Sequence, residues 1–360
     1  MTRSASAEPR AAATGLHYLV TGHTGFKGSW LTLMLTAQGH TVSGLALEPA
    51  TGSLYQRARV SELLLRDLRV DIRDGGATLD AITDLRPDVV LHLAAQPLVR
   101  ESYRDPRYTY ETNTLGTLNV LMAVEHTPSV RAQVIITTDK VYRNVNQTQG
   151  YRESDPLGGL DPYAASKAAA DLITQSWMAS SGCRAPTAIA RAGNVIGGGD
   201  VCADRLMVDL VEAFSTGQAV RLRHPEAVRP WQHVLDCLNG YLDLTDSLLN
   251  GESSGEAFNF GPDADSFVQV GAVAASVASL WGADSLVEVD AGPHVHEATL
   301  LALDSNKAEL KLGWRSRLTF EQALAWTVAW EKEIRAGGDA RAVSIAQITE
   351  FMGLVPGRRP

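Results

Sequence analysis

The chain has 360 residues, a formal net charge of −9, 45% apolar residues and 20% charged residues. That composition is ordinary for a soluble globular protein, with enough chain for one large domain or a domain plus a smaller lobe. The negative charge argues against non-specific nucleic-acid binding and against docking on an anionic membrane, so a phosphorylated ligand would need a local cluster of Arg and helix termini.

Residues 1–15 read as a disordered tail. Met1–Ala13 is small, polar and Ala-rich, without the apolar stretch of a signal peptide. No apolar run is long enough to span a bilayer. Cys183, Cys202 and Cys237 share no close spacing, so neither a zinc ribbon nor a disulfide framework fits. They read as reduced thiols of a cytosolic protein.

The first strand, Tyr18–Val20, runs into Gly22, Gly25 and Gly28, and then into a helix with Trp30, Leu31, Leu33, Met34 and Leu35 on one face. Glycines between a strand and an amphipathic helix allow a tight turn and the close approach of a diphosphate to the helix N-terminus. Lys27 fits no G-x-x-x-x-G-K-S/T pattern, which excludes a P-loop triphosphatase. A second strand is predicted over His40–Leu47. Glu48 follows it and is either an acceptor for an adenosine-ribose hydroxyl, favouring NAD over NADP, or a solvated loop residue before Pro49.

A short strand at Leu68–Val70 leads into Asp71 and Ile72, and a helix follows over Thr78–Leu85. Asp88–Leu93 is continuously apolar, as expected of a strand covered on both faces, and ends in Ala94, Ala95 and Gln96. Small residues there leave space for a ligand. A helical pattern spans Tyr108–Val124 with Asn113 inside it, and Gln133–Thr137 is another buried strand. The alternation predicts an α/β fold: a Rossmann-type doubly wound parallel sheet, with ligand at the strand C-termini. Residues 16–190 are the expected dinucleotide-binding domain. Residues 191–360 are mainly a smaller substrate lobe, with returns to the sheet near 230–262 and helices at about 269–281 and 320–335.

The strand at 133–137 delivers Thr138, Asp139 and Lys140 to the sheet's C-terminal edge. Tyr163 and Lys167 follow at i and i+4 on one helix face. A nearby ammonium lowers a phenol from its usual pKa of about 10. Such a pair suits removal of a hydroxyl proton while hydride leaves the same carbon for a nicotinamide. His294, His296 and Glu297 share one loop, but without a cysteine or a fourth ligand they are not read as a metal site.

These features resemble the extended short-chain dehydrogenase/reductase family, and within it the CDP-glucose 4,6-dehydratases. The resemblance covers nearly all of the chain after residue 17. Its motifs are TGHTGFKGSWL (Thr21–Leu31), LHLAAQPLVRESY (Leu91–Tyr103), TYETNTLGT (Thr109–Thr117), TTDKVY (Thr137–Tyr142), GYRESDPLGGLDPYAASK (Gly150–Lys167), RAGNVIGGGD (Arg191–Asp200), RPWQHV (Arg229–Val234) and NFGP (Asn259–Pro262). The chain departs from the subgroup at Arg143–Gln149 and at Val201–Ala203, both flanking the expected substrate cleft.

The resemblance implies an NAD-dependent lyase that moves hydride from C4 to C6 of a nucleotide-hexose and releases water, giving a 4-keto-6-deoxy sugar. It implies Tyr163 as the acceptor of the 4-hydroxyl proton, assisted by Thr138 and Lys167. Asp139 would be the acid at O6, with a raised pKa. Lys140 would be the base at C5, its pKa depressed by burial beside other cations. By the same likeness Gly22, Gly25, Phe26 and Gly28 would cradle the NAD diphosphate, and Asp71 and Ile72 would flank the adenine. Ala94, Ala95, Asn113, Tyr163 and Lys167 would line the nicotinamide side. Gln96, Asn194, Arg205, Arg229 and His233 would face the sugar nucleotide. A homodimer through the helices at about 108–125 and 163–180 is implied too. The alternatives are a sugar-nucleotide epimerase or ring mutase on the same scaffold, and a non-catalytic cofactor-binding protein.

Overall fold

The computed structural model describes residues 15–147, 149–180, 183–222, 224–283, 287–289 and 301–354. Nearly all of the N-terminal tail and the whole of the His294–Glu297 loop lie outside the described residues. In chain order the strands are β1 (His17–Thr21), β2 (Thr41–Ala46), β3 (Arg66–Arg69), β4 (Val89–His92), β5 (Ala132–Ile136), β6 (Thr187–Ala192), β7 (Asn194–Ile196), β8 (Val220–Leu222), β9 (Val228–His233), β10 (Ala257–Phe260), β11 (Phe267–Gln269) and β12 (Val287–Val289).

The main sheet has the order β10-β6-β5-β4-β1-β2-β3, and every pairing in it is parallel. This is the doubly wound pattern of a Rossmann fold with β10 added at one edge. β4 and β5 are buried along their whole length, so the apolar runs that predicted them are explained by helices on both faces. The chain reverses its direction of winding between β1 and β4. Their C-terminal ends therefore diverge, and a crevice opens there.

The Phe26–Ala37 helix buries Trp30, Leu31, Leu33, Met34 and Leu35 completely. Each such side chain contributes roughly 1.5–3 kcal/mol of transfer free energy. This helix packs against the sheet on one side and the C-terminal helix Ala340–Gly353 on the other. The Trp30 indole donates to Gly198 O at 2.9 Å. A Cβ on Gly198 would lie 2.1 Å from the Trp330 ring. The 197–199 glycine loop thus lies flat between two tryptophans, which explains why side chains are missing there.

The smaller lobe carries a three-stranded sheet, β11-β9-β7, and the pair β12-β8. Met207, Leu210, Phe214, Trp231, Val273, Val277, Phe320 and Leu324 form its own core. The helices predicted near 269–281 and 320–335 occur at Val270–Trp281 and Phe320–Arg335. The chain then crosses back: β9 ends at His233, and the Val234–Leu249 helix packs on β5 and β6.

The helix expected over 108–124 is more complex than its periodicity suggested. It runs as Pro106–Tyr110, a wide π-helical turn at Glu111–Leu115, and then Gly116–Glu125. The widened turn contains Asn113, whose side chain is tied to the backbone of Gln96. A π-turn inside a helix often marks a place where a side chain has been re-aimed toward a site.

Candidate active site

The glycine turn sits at the β1–β4 crevice. Gly22 has φ +75°, and a Cβ there would stand 2.8 Å from Ala94 N, so the turn presses directly on the small residues that end β4. A Cβ on Gly28 would lie 2.2 Å from Gly22 O. Gly25 precedes the helix without a side-chain cap. The first N–H groups of a 12-residue helix are therefore left without a side-chain cap beside an exposed glycine. Three small residues, a close backbone and a helix N-terminus fit the diphosphate of a dinucleotide. Phe26 packs toward the Gly197 loop. Asp71 and Ile72 follow β3. Ile72 is buried against Gly116, while Asp71 forms a close ion pair with Arg73 at 2.6 Å.

Across the crevice, β5 ends in the reactive cluster. The Thr138 hydroxyl donates to Asp139 Oδ1 at 2.9 Å, and Lys140 Nζ reaches the same oxygen at 3.2 Å. Asp139 is fully buried, and its Oδ2 has no partner. Oδ2 points at Gly193, where a Cβ would come within 3.2 Å of it. The Tyr163 phenol lies beside the Thr138 hydroxyl, which favours its ionised form. Arg205 is near enough to act electrostatically on Tyr163, and Arg229 on Lys140. Arg205 is braced by Asp200 at 2.5 Å. Asn194 opens β7 opposite Trp231 of β9 and follows Gly193.

Beneath the cluster lies a buried ion pair. Arg191 contacts Asp171 at 2.7 and 2.8 Å, and Asp171 also accepts from Thr137 at 3.1 Å. The pair links β5, β6 and the Pro162–Ala179 helix just below Thr138 and Lys167. Both charges are nearly without solvent contact. Losing one would strand the other, so the pair is a rigid support for the site rather than a source of net stability.

Several expectations are corrected. Lys167 was expected beside the phenol, but its Nζ donates to Ile136 O at 2.8 Å, and Lys140 is the cation acting most strongly on Tyr163. Burial pushes the Tyr163 phenol above its ordinary value, with Lys140 and Thr138 only partly offsetting it. Burial, and then Lys27, bring Lys167 down to about 8. Lys140 was expected to be depressed. Burial does act that way, but the Asp139 carboxylate and the Tyr163 phenol outweigh it, and its pKa is raised.

His233 does not face a sugar. It is enclosed between Trp30 and Trp326, caps the following helix through Leu235 N, and is driven down to about 3 by burial. Gln96 is also buried. Its side chain binds Leu98 and Thr109 and shapes the 96–98 loop, while its backbone N–H is held by Asn113. Asn113 in turn donates to Ser166 Oγ at 2.9 Å, joining the end of β4 to the helix that bears Tyr163.

Two features of the site went unread in the sequence. Gly193 packs so closely on Asp139 Oδ2 that a Cβ there would stand 3.2 Å from it, and nothing in its spacing announced it. His23 lies inside the glycine turn, fully buried, hydrogen-bonded to Asp67 at 2.7 Å. A histidine amid three glycines was the available signal. Among the described residues no group of His, Cys, Asp and Glu is gathered as a metal site would require, and no helix is long and apolar enough to cross a membrane.

Residues 19–327 match the family model described as GDP-mannose 4,6 dehydratase. The chain is 41% identical over 347 residues to the CDP-glucose 4,6-dehydratase of Salmonella typhimurium, covering 94% of this chain and 96% of that one. It is 26% identical to a dTDP-glucose 4,6-dehydratase of Xanthomonas campestris, over 87% of this chain and 92% of that one. Among solved structures it is similar to DesIV, a dTDP-glucose 4,6-dehydratase of Streptomyces venezuelae crystallised with NAD, with a TM-score of 0.78 and 28% identity over 91% of this chain and 100% of that one.

Proposed function

The chain belongs to the GDP-mannose 4,6 dehydratase family of extended short-chain dehydrogenases/reductases, and on that premise we propose that it is an NAD-dependent CDP-glucose 4,6-dehydratase working through Thr138, Asp139, Lys140 and Tyr163. The observation that carries the residue assignment is the junction of Thr138, Asp139 and Lys140 at the end of β5, with Asp139 fully buried and its Oδ2 without a partner. An orphaned carboxylate oxygen is costly to bury, and a proton donor at a leaving hydroxyl needs an oxygen that the protein does not already engage.

NAD, held on the glycine turn, supplies reversible hydride acceptance. The protein's own part concerns protons. Thr138 and Tyr163 together receive the 4-hydroxyl, whose proton passes to Tyr163 in its phenolate form, the form that the neighbouring Lys140 cation and Thr138 favour against burial. The resulting ketone acidifies the C5–H bond. Lys140 and Asp139 are in direct contact at 3.2 Å. One proton moving from ammonium to carboxylate turns this ion pair into an amine and a carboxylic acid. The amine takes the C5 proton, and the acid gives its proton to the departing 6-hydroxyl as water. When hydride is returned to C6, the Lys140 ammonium gives its proton to C5, and the proton that Tyr163 took from the 4-hydroxyl passes to the Lys140 amine, so that phenolate and ion pair are both restored. The raised pKa of Lys140 is thus the resting state of a couple, not an obstacle to its acting as a base. Arg205 and Arg229 are suited to forked contacts with the diphosphate of the sugar nucleotide.

Incubation of the protein with NAD and CDP-glucose is expected to give a 4-keto-6-deoxy product with no net reduced cofactor, read by mass spectrometry. If CDP-glucose is untouched while another nucleotide-glucose is dehydrated, the base assignment is wrong. If product NMR shows oxygen retained at C6, the reaction is an isomerisation.

The assembly read here is a cytosolic homodimer. Leu115, Met122 and Leu172 are exposed to 53%, 46% and 53% on the helices at 111–125 and 162–179, an apolar surface that a second copy would cover. Light scattering at twice the chain mass is the expected result, and a single-chain mass would overturn it.

A further inference from the structure

A cluster of charged side chains at the β2–β3 edge of the sheet takes no part in the chemistry above. Glu48 follows β2, and Arg69 ends β3 opposite Ala46 in the register. Arg69 Nε donates to Glu48 Oε2 at 3.2 Å. Its Nη1 and Nη2 grip Asp67 at 2.5 and 3.2 Å, and Nη2 also donates to the Tyr55 hydroxyl at 3.0 Å. The guanidinium lies over the Tyr55 ring, 5.4 Å from its centre. Tyr55 hydrogen-bonds Asp67 as well. Asp67 completes the chain with His23, whose ring fills the space that Gly44 leaves: a Cβ on Gly44 would lie 2.3 Å from the imidazole. A continuous set of contacts therefore runs from inside the glycine turn to Glu48.

We propose that Arg69 is a positioning residue that holds Glu48 as the acceptor for the adenosine-ribose hydroxyls of the cofactor, and so sets its preference for NAD over NADP. This rests on the NAD-dependent reading above. Glu48 is 79% exposed, and a glutamate that open must lose rotamer freedom each time it binds. Arg69 removes part of that loss in advance. Its planar fork carries more donors than one carboxylate needs, so two nitrogens anchor it to Asp67 and Tyr55 while the third reaches Glu48. The sense of the preference follows from charge. Two carboxylates face one guanidinium, and the buried His23 has its pKa lowered mainly by desolvation. The corner is net negative, which favours a ribose hydroxyl and opposes a 2′-phosphate.

The test is equilibrium binding of NAD and NADP to the full chain, followed by tryptophan fluorescence without turnover. Arg69→Met is expected to weaken NAD roughly three- to thirtyfold. In a Glu48→Gln background the same change is expected to alter NAD affinity by less than about twofold, because a residue acting only through Glu48 has nothing left to position. Glu48→Gln alone narrows the gap between NAD and NADP. Equal losses in both backgrounds would assign Arg69 a merely structural role and overturn the proposal. Glu48 is exposed enough that its replacement leaves the fold intact. An unchanged NAD/NADP ratio in Glu48→Gln therefore overturns the proposal even if the Arg69 variant misfolds. Failure of the unsubstituted chain to bind NAD would overturn the enzymatic reading as well; a failed coupling overturns this proposal alone.

Discussion

Tyr163→Phe is expected to lower turnover of CDP-glucose by roughly 10²–10⁴-fold, the range of a lost proton acceptor. The block falls at the first step. With no phenolic oxygen the 4-hydroxyl keeps its proton, so hydride cannot leave C4, and mixing enzyme, NAD and substrate should give no rise in reduced-nicotinamide absorbance. The fold should survive. The change removes one hydroxyl, which costs about 1 kcal/mol where a hydrogen bond is lost with it. NAD affinity should change little, because Lys167 is anchored independently on Ile136 O. A variant that still reduces its cofactor at the unsubstituted rate would remove Tyr163 from the mechanism.

Asp139→Asn is expected to cost roughly 10²–10³-fold in product formation, within the span of general acid–base contributions, but with a different signature. The amide keeps an oxygen to accept from Thr138 and Lys140, so the cluster stays assembled. It has no proton to give to the leaving hydroxyl. Oxidation at C4 should therefore proceed, and reduced-nicotinamide absorbance should rise and persist. Lys140 meanwhile loses the carboxylate that most strongly raises it, so burial and Arg229 are opposed by Tyr163 alone. More free amine is available near neutral pH, so exchange of the C5 hydrogen with deuterated solvent should continue without loss of water. Equal damage to oxidation and elimination would mean that Asp139 does not act at O6.

The parts of this protein that its sequence revealed are those where the physics is local. β4 and β5 are continuous apolar runs because helices cover both faces, and such runs are visible in one dimension. The glycine turn was visible because Gly22 and Gly28 admit no side chain. Longer-range arrangements were hidden. The Val234–Leu249 helix went unread: it buries Asp236, Asn239, Thr245 and Ser247 along with its apolar residues, so no clean polar face marks it. The Ala340–Gly353 helix was missed as well, since its partner is the first helix of the chain, more than three hundred residues earlier.

The candidate site divides in the same way. Its residue types and their order along the chain were present in the sequence: three glycines after a strand, then Thr138–Asp139–Lys140, then Tyr163 and Lys167 one helical turn apart. Partner choice was not. Spacing placed Lys167 near Tyr163, but a side chain five bonds long can turn either way, and the nearest buried acceptor was Ile136 O. Lys140 took the place beside the phenol because β5 ends where the Pro162–Ala179 helix begins, an adjacency fixed by the sheet order. His233 carried a site-like motif, yet the turn from β9 into the next helix swings its ring between two tryptophans. By itself the sequence determined the elements, their order and the chemistry available. Protonation, partnership and access depend on what other segments bring within a few ångströms, and only the packed tertiary structure decides those.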